Sequence, residues 1–398
     1  MKYIILIIGL ALLAGATVLL AGDAVAPVVP WASTSVSFAK AITVRSPVLY
    51  PKSLAAGDLN HNGIPDLAVV GDEEPALLHA LGKGDGHFGH WSHKGGTGDA
   101  PNFVLFADVD LDGNLDAITT DDTQSLMVVA FGDGKGNFTR GKALHAGVGY
   151  ATNQVVVTDL NGDGIPDIVG TSSLVGNDPG RIFVVLGTVD RKFEKATHFR
   201  SGGYVASGIA VGDLNHDGVA DIVVANEGTQ QGGDYGSVAV LLGKGDGTFA
   251  KPVLYHAGKV PHSVVLGDFN GDGNLDVAVG SQSKQIHVLL GNGDGTFGAS
   301  IASAGGSNVI AAADFNGDGK LDLVTARGDV SVLLGNGDGT FQRPVDFPVR
   351  GFPTNLTVAD FNHDGKPDIA TIETVHFSSF ISILLNTTQF PAPPPHPH

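Results

Sequence analysis

Apolar residues come along this chain in short runs, each closed by a turn rich in Gly, Asn and Asp. One stretch shows the scheme. Val264-Val265-Leu266-Gly267 is a first run, Val277-Ala278-Val279 a second, and Leu289-Leu290-Gly291 ends a third. Gly293-Asp294-Gly295-Thr296-Phe297 follows, and its Asp-Gly pair predicts a tight hairpin. A weaker run, Ala299 to Ala302, comes fourth. Runs this short and β-rich, bounded by turn residues, predict strands rather than helices. Each stretch therefore encodes a four-stranded meander.

The scheme repeats. Between the first and second runs lies a nonapeptide of the form Asp-x-Asn-x-Asp-Gly-x-x-Asp. It starts at Asp58, Asp108, Asp159, Asp213, Asp268, Asp314 and Asp360, at spacings of 50, 51, 54, 55, 46 and 46 residues. Seven periods of four short antiparallel strands predict an all-β fold, a seven-bladed β-propeller. The residue before each first Asp is small (Gly57, Ala107, Gly212, Gly267, Ala313, Ala359), with Thr158 the exception. That fits innermost strands crowding a central axis. The seventh period runs out soon after Ile381 to Leu385, whereas Phe38 lies 20 residues before Asp58, much as Phe249 lies 19 before Asp268. Phe38 to Val44 is thus expected to supply the outer strand of the last blade, so that the ring closes without a long open edge.

Composition agrees and sets limits. The 398 residues include 57 Gly and only two Met, which starves helices and suits turns. With no cysteine, a disulfide framework, a Cys-ligated metal and a thiol nucleophile are excluded. A net charge of −18 argues against nucleic acid or an anionic membrane surface as partner. Lys2, the apolar stretch Tyr3 to Leu20 and small residues through Ala26 have the layout of an export signal over 1–26. Left uncleaved, that stretch is long enough to anchor the chain in a membrane. Residues 27–34 read as a linker, 35–390 as the propeller and 391–398 as a Pro/His tail. A secreted or cell-surface location is the expectation.

The nonapeptides carry the chemistry. Positions 1, 3, 5 and 9 bear side-chain oxygens and position 7 offers a backbone carbonyl, the hard donors that calcium takes, while Gly at position 6 permits the sharp turn. In the first loop these donors are Asp58, Asn60, Asn62, Ile64 and Asp66, and in the second Asp108, Asp110, Asp112, Asn114 and Asp116. The third has Asp159, Asn161, Asp163, Ile165 and Asp167, the fourth Asp213, Asn215, Asp217, Val219 and Asp221. Asp268, Asn270, Asp272, Asn274 and Asp276 form the fifth, and Asp314, Asn316, Asp318, Lys320 and Asp322 the sixth. The seventh comprises Asp360, Asn362, Asp364, Lys366 and Asp368. An EF-hand would need an acid at position 12, where Val69, Thr119 or Gly170 stands instead. One such loop is readily just an Asx turn. Seven with the same oxygen-bearing positions point to cations, about seven Ca²⁺ per chain. The first loop holds two aspartates, the second four and the others three each, about half of the chain's 41 acids. Without cations these carboxylates repel one another. The first site is expected to be the weakest and the second the strongest.

Asp-Phe-Asn-Gly-Asp-Gly-x-x-Asp followed by Leu-Leu-Gly-Asn-Gly-Asp-Gly-Thr-Phe resembles the FG-GAP/VCBS repeat family, over residues 34 to 390. That family includes the propeller at the head of integrin α subunits. The resemblance implies calcium loops between the first and second strands of each blade, all on one face. It also implies a non-catalytic scaffold for adhesion or for binding an extracellular or cell-surface protein or glycan. The third hairpin, Thr188 to Lys192, departs from the Gly-Asp-Gly form, at a cost to turn quality and with no metal site in doubt.

Other constellations weigh less. Arg327-Gly328-Asp329 spells an adhesion tripeptide that a Gly- and Asp-rich chain supplies by chance. His87, His90 and His93 alternate faces on a strand and do not converge. His61, His216 and His363, at position 4 of their loops, should point to solvent, and Asn137, Asn355 and Asn386 sit in Asn-x-Thr sequons. No elbow, zinc helix or phosphate loop of a known enzyme class is present, although a lectin or a polysaccharide lyase could use the same scaffold. For a ligand, the face opposite the calcium loops is the candidate, with Tyr50, Tyr150, Tyr204 and Phe352 at similar repeat positions near the axis.

Overall fold

The computed structural model describes residues 35–390, except 73, 96–99, 122, 124, 147–150, 174–178, 230–235, 284 and 377. The segments expected to be an export signal, a linker and a tail fall outside the described residues, as do Tyr150 and residues 174–178 and 230–235 between the second and third strands of the third and fourth repeats.

Seven four-stranded antiparallel sheets form the seven blades of a β-propeller. In blade 5, for example, Pro261–Gly267 pairs with Asp276–Ser281, that strand with Gln285–Leu289, and the last with Ile301–Ala304. The nonapeptide is the loop between the first two strands, so Gly267 lies opposite Asp276 in the ladder. The ring closes through the N-terminal segment. Ile42–Arg45 pairs with Ser378–Leu384, Ile42 opposite Ile383 and Arg45 opposite Phe380. The closing strand begins later than Phe38, which makes one isolated bridge to Asn386 and sets its ring against Phe315 and Phe347.

The core is itself a ring. Buried side chains fall into seven clusters, and each lies between the facing sheets of two neighbouring blades. Strands buried on both faces read as near-continuous Val, Ile, Leu and Ala, which is why the sequence shows runs rather than clean alternation.

The small residues before each first Asp have a cause other than crowding at the axis. A Cβ on Gly57, Gly212 or Gly267 would lie 2.8, 2.7 and 2.4 Å from a methyl of Leu115, Leu275 and Leu321. Each of those leucines is position 8 of the next blade's nonapeptide. Where position 8 is Pro166, Pro367 or Pro65, the preceding blade carries Ala107, Ala313 or Ala359. Thr158 precedes the smallest partner, Ala220, so the one exception follows the same steric rule.

At the opposite end of the channel, polar side chains latch blade to blade. Asn153 Nδ2 donates to the Ala206 carbonyl, Ser207 Oγ to that of His262, Ser263 Oγ to that of Asn308, and Asn355 Nδ2 to that of Lys52. Thr120 Oγ1 reaches the Asn153 carbonyl, and the Val104 N–H donates to Ser53 Oγ. Six of the seven junctions are tied in this way.

Candidate functional site

The nonapeptides wrap their side-chain oxygens inward. In the fourth loop Asp213 accepts from the N–H groups of Asp217 and Gly218 at 3.1 and 2.9 Å, Asn215 Oδ1 accepts from Asp217 N–H, and Asp217 Oδ1 from Val219 N–H. The other loops follow the same pattern, as in the second and seventh. Gly at position 6 has φ between 80° and 87° in all seven loops, a conformation that a Cβ penalises. Position 4 is left-handed too, at φ 58° to 78°, yet it holds His in three loops and Leu111 in one.

Two of those histidines do not simply face solvent, contrary to expectation. His61 Nε2 lies 2.8 Å from Asn114 Oδ1 and His216 Nε2 lies 3.0 Å from Asn274 Oδ1. Each reaches position 7 of the next blade's loop, a contact that offsets the roughly 1 kcal/mol cost of a non-Gly left-handed residue.

Position 9 is the anchor, and sequence reasoning missed its second duty. Asp66, Asp116, Asp167, Asp221, Asp276, Asp322 and Asp368 are fully buried. One oxygen of each accepts the position-2 N–H of its own loop, and the other accepts the N–H that follows the blade's third strand. For Asp322 the partners are Phe315 at 2.9 Å and Gly335 at 2.8 Å. The signal was present in the recurrent Gly after Leu-Leu, which lets the backbone come close. Burial raises these carboxyls against the pull of their N–H donors: Asp66, Asp167, Asp221 and Asp276 to about 6, and Asp116, Asp322 and Asp368 to about 7. A carboxylate oxygen that accepts one N–H keeps a lone pair for a cation.

The donor set fits a hard cation. In the second loop one oxygen each of Asp108, Asp110 and Asp116 lies within 4.8 Å of the others. That loop also departs from the rest. Arg191, from the irregular third hairpin, brings its Nε 2.5 Å from Asp110 Oδ2 and its Nη2 2.9 Å from Asp112 Oδ2. The hairpin that was expected to leave every metal site alone therefore reaches directly into one.

At the far mouth the first strands enclose a cavity of about 420 Å³, with Lys52, Asn102, Asn153, Gln154, Glu227 and His262 in its wall. Glu227 sits 3.6 Å from His262 Nε2, and burial raises its carboxyl against the opposing pull of His262 and Ser207. None of the described aromatics expected there lines this cavity. Tyr204 ends the outer strand Thr197–Tyr204 of blade 3 and is 41% exposed, while Phe352 opens its strand at 72% exposed. Tyr50 is half-buried at the start of Tyr50–Gly57, two residues before the wall residue Lys52. The Arg-Gly-Asp tripeptide forms a hairpin tip in blade 6, with Arg327 donating to the Gly306 carbonyl. Of the sequon residues, Asn386 is buried and donates to the Phe315 carbonyl, Asn355 holds a blade latch, and Asn137 is on the surface.

Comparison with known proteins agrees with this geometry. The FG-GAP-like repeat model matches residues 58–119, 112–170, 229–279, 268–325 and 323–371, and the FG-GAP repeat model matches 205–241. Integrin alpha-PS5 of Drosophila melanogaster is 33% identical over 161 residues, which cover 35% of this chain and 15% of that much longer protein. Among solved structures, BBS1N in complex with ARL6DN superposes with a TM-score of 0.58 at 14% identity, over 89% of this chain and 98% of that one. Sqt1 of Saccharomyces cerevisiae does so with a TM-score of 0.55 at 8% identity, over 88% and 99%. At such identities these two likenesses speak for the fold alone. The repeat models cover more than half of the sequence, and the chain belongs to the FG-GAP-like repeat family, as an integrin-α-like propeller.

Proposed function

We propose that the chain is an exported, calcium-stabilised propeller that serves as a non-catalytic scaffold for an extracellular protein or glycan. The observation that carries this reading is the sevenfold set of inward-facing oxygens on one face, with a buried Asp at the root of each loop. Calcium, when bound, supplies the positive charge that these carboxylates otherwise lack. The chain's own residues do the rest. Positions 1, 3 and 5 gather the oxygens, and position 9 ties the loop to the third strand, so that an ion held there stiffens two strands of its blade.

Ligand binding belongs to the other end, where Lys52, Asn102, Asn153 and Gln154 face the cavity together with Glu227 and His262. Ser207, His262 and Glu227 do not form a proton relay, since Ser207 Oγ donates to the His262 backbone carbonyl rather than to its ring. This supports binding over catalysis, as does the relationship to an integrin α subunit.

Calorimetric titration of the full chain with Ca²⁺ tests the reading. Close to seven ions are expected, at affinities of about 10⁻⁴–10⁻³ M as is common in extracellular modules. Two or fewer ions would refute it. Binding to immobilised glycans and to host-envelope proteins, compared between wild type and Glu227→Gln, then assigns the ligand end.

A further inference from the structure

Three residues break the sevenfold pattern, and all three meet at one place. Position 3 of the nonapeptide is Asn in six loops and Asp110 in the second. The residue just before the Gly or Asn whose N–H meets position 9 is Leu in six blades and Phe131 in the second. The hairpin tip carries left-handed glycines in five blades, but in blade 3 the left-handed residues are Asp190 and Arg191, at φ 67° and 59°. The Arg191 guanidinium lies 4.9 Å above the Phe131 ring, with its Nε against Asp110 Oδ2 and its Nη2 donating to Asp112 Oδ2. The Asp110 side chain is only 4% exposed, so its charge is matched inside the protein rather than by water.

The ordinary junctions show what this trio replaces. In five of them a hairpin glycine packs on the leucine that follows the previous blade's third strand, and its N–H donates to the position-2 carbonyl of that blade's loop. Gly247 does this with Leu186 and the Leu160 carbonyl, and Gly295 with Leu242 and the Leu214 carbonyl. Between blades 6 and 7, the Asn386 amide reaches the Phe315 carbonyl instead. Between blades 2 and 3, the guanidinium takes over, lying on Phe131 and gripping the loop's side chains.

Inside the loop the substitution is equally specific. In loops three to six the position-3 Asn donates through Nδ2 to Oδ2 of the position-5 Asp, at 2.9 to 3.2 Å. Asp110 has no N–H to give, and Arg191 supplies a donor to that same oxygen of Asp112. Asp110 Oδ1 and Asp112 Oδ1 keep the backbone bonds seen in the other loops. Four carboxylates and one guanidinium leave a net charge of −3, that of the third, fourth and fifth loops, while the sixth and seventh also carry Lys320 and Lys366 at position 7, with Lys366 Nζ 3.3 Å from Asp364 Oδ2.

We propose that Arg191 is the built-in counter-cation of the second loop, clamping blade 3 to blade 2 and lowering that loop's ion affinity to the level of the three-aspartate third, fourth and fifth loops. Asp110 is then the partner of Arg191 rather than an extra ligand charge, and the second loop is not the strongest site. The affinity half rests on the calcium reading above, whereas the clamp half does not.

Arg191→Met keeps a long side chain over Phe131 and removes the charge, and Asp110→Asn restores the repeat's own donor. In chelator, the full chain carrying Arg191→Met should melt several degrees below wild type, and the Asp110→Asn/Arg191→Met pair should recover most of that loss. In calcium titration, Arg191→Met should expose one site bound ~10-fold tighter than in wild type, since a nearby cation no longer repels the ion. The double variant should lose that site, and Arg191→Lys, which keeps the charge, should not show it. An unchanged melting point of Arg191→Met in chelator overturns the clamp. A wild-type titration from Arg191→Met, or a tight site in Arg191→Lys, overturns the counter-cation. If no variant binds calcium, the reading of the loops as ion sites fails, while melting in chelator still decides the clamp.

Discussion

At one end of the ring the same nine-residue loop recurs seven times, with Gly at position 6 and a buried Asp at position 9 in every copy. At the other end, the place six residues before each loop holds Lys52, Asn102, Asn153, Ser207, His262, Asn308 and Thr354. Both ends join neighbouring blades, but by different means. The loop end repeats one solution, because an ion or its substitute asks the same of every blade. The far end latches its blades with Ser, Asn or Thr from several positions and varies the residue six before each loop, which gives the channel mouth a shape and charge distribution that no rotation of the ring reproduces. Uniformity suits a structural ion, and asymmetry suits recognition of one ligand in one orientation.

The comparison can be broken most severely at the closure, on which both ends depend. Removing residues 35–45 strips blade 7 of its outer strand and exposes the edge of Ser378–Leu384. Loss of cooperative melting and aggregation of the truncated chain are expected. A monomeric product with the melting point of the full chain would show that closure lies elsewhere.

Next in size is the difference within a single loop. Asp322→Ala leaves two buried N–H groups, those of Phe315 and Gly335, without an acceptor. At roughly 1–3 kcal/mol for each unsatisfied group, the loss should be about 2–6 kcal/mol and should occur with or without calcium. Asp318→Ala, at position 5, should cost much less in chelator and show its effect only when the ion is present. Denaturant melts of both variants in both conditions decide this, and equal calcium dependence of the two would contradict the anchoring role of position 9.

A third effect sharpens the comparison through pH. Seven buried carboxyls are raised from 3.8 to about 6 or 7. Between those values the folded chain binds more protons than the unfolded one, so stability in chelator should fall as pH rises from about 4 to about 7. Calcium favours the ionised form and should flatten or reverse that slope. The smallest effect is expected at the far mouth. Glu227→Gln should leave stability within about 0.5 kcal/mol of wild type while changing ligand binding, because Gln keeps a polar group beside His262 and the Ser207 Oγ bond to the His262 carbonyl still ties blade 4 to blade 5. A large loss of stability there would make the mouth one more structural seam.

Much of this molecule was legible in its sequence because the repeat supplies seven readings of each position. Blade count, strand order and loop placement follow from spacing alone, and the closing strand fell within a few residues of where Phe38 and Phe249 placed it. What a repeat average conceals is contact between unlike copies. Thr158 looked like an exception until position 8 of the next blade's loop was read as Ala220, and Arg191 looked like a poor turn residue until its guanidinium was found on Asp110. Tyr204 stands where expected along the chain, at the junction between the outer strand of blade 3 and the first strand Ala206–Gly212 of blade 4, but it does not line the cavity. The second duty of position 9 was easy to miss, because a buried Asp that accepts backbone N–H groups and an exposed Asp that ligates an ion look alike in a sequence, and only the recurrent Gly after Leu-Leu points to it.

We propose above that the seven loops bind calcium, and the fold is then expected to lean on the ion. The most direct measurement is the melting temperature of the full chain near neutral pH in calcium, in magnesium and in chelator. An ion at tenfold excess over its Kd stabilises a folded site by about 1.4 kcal/mol, so several independent loops together approach the stability of an ordinary domain. The account predicts a sharp drop in chelator, restored fully by calcium and poorly by magnesium, which holds its water too firmly for so many protein oxygens. Superimposable melting curves in calcium and in chelator would mean that the loops are turns and nothing more.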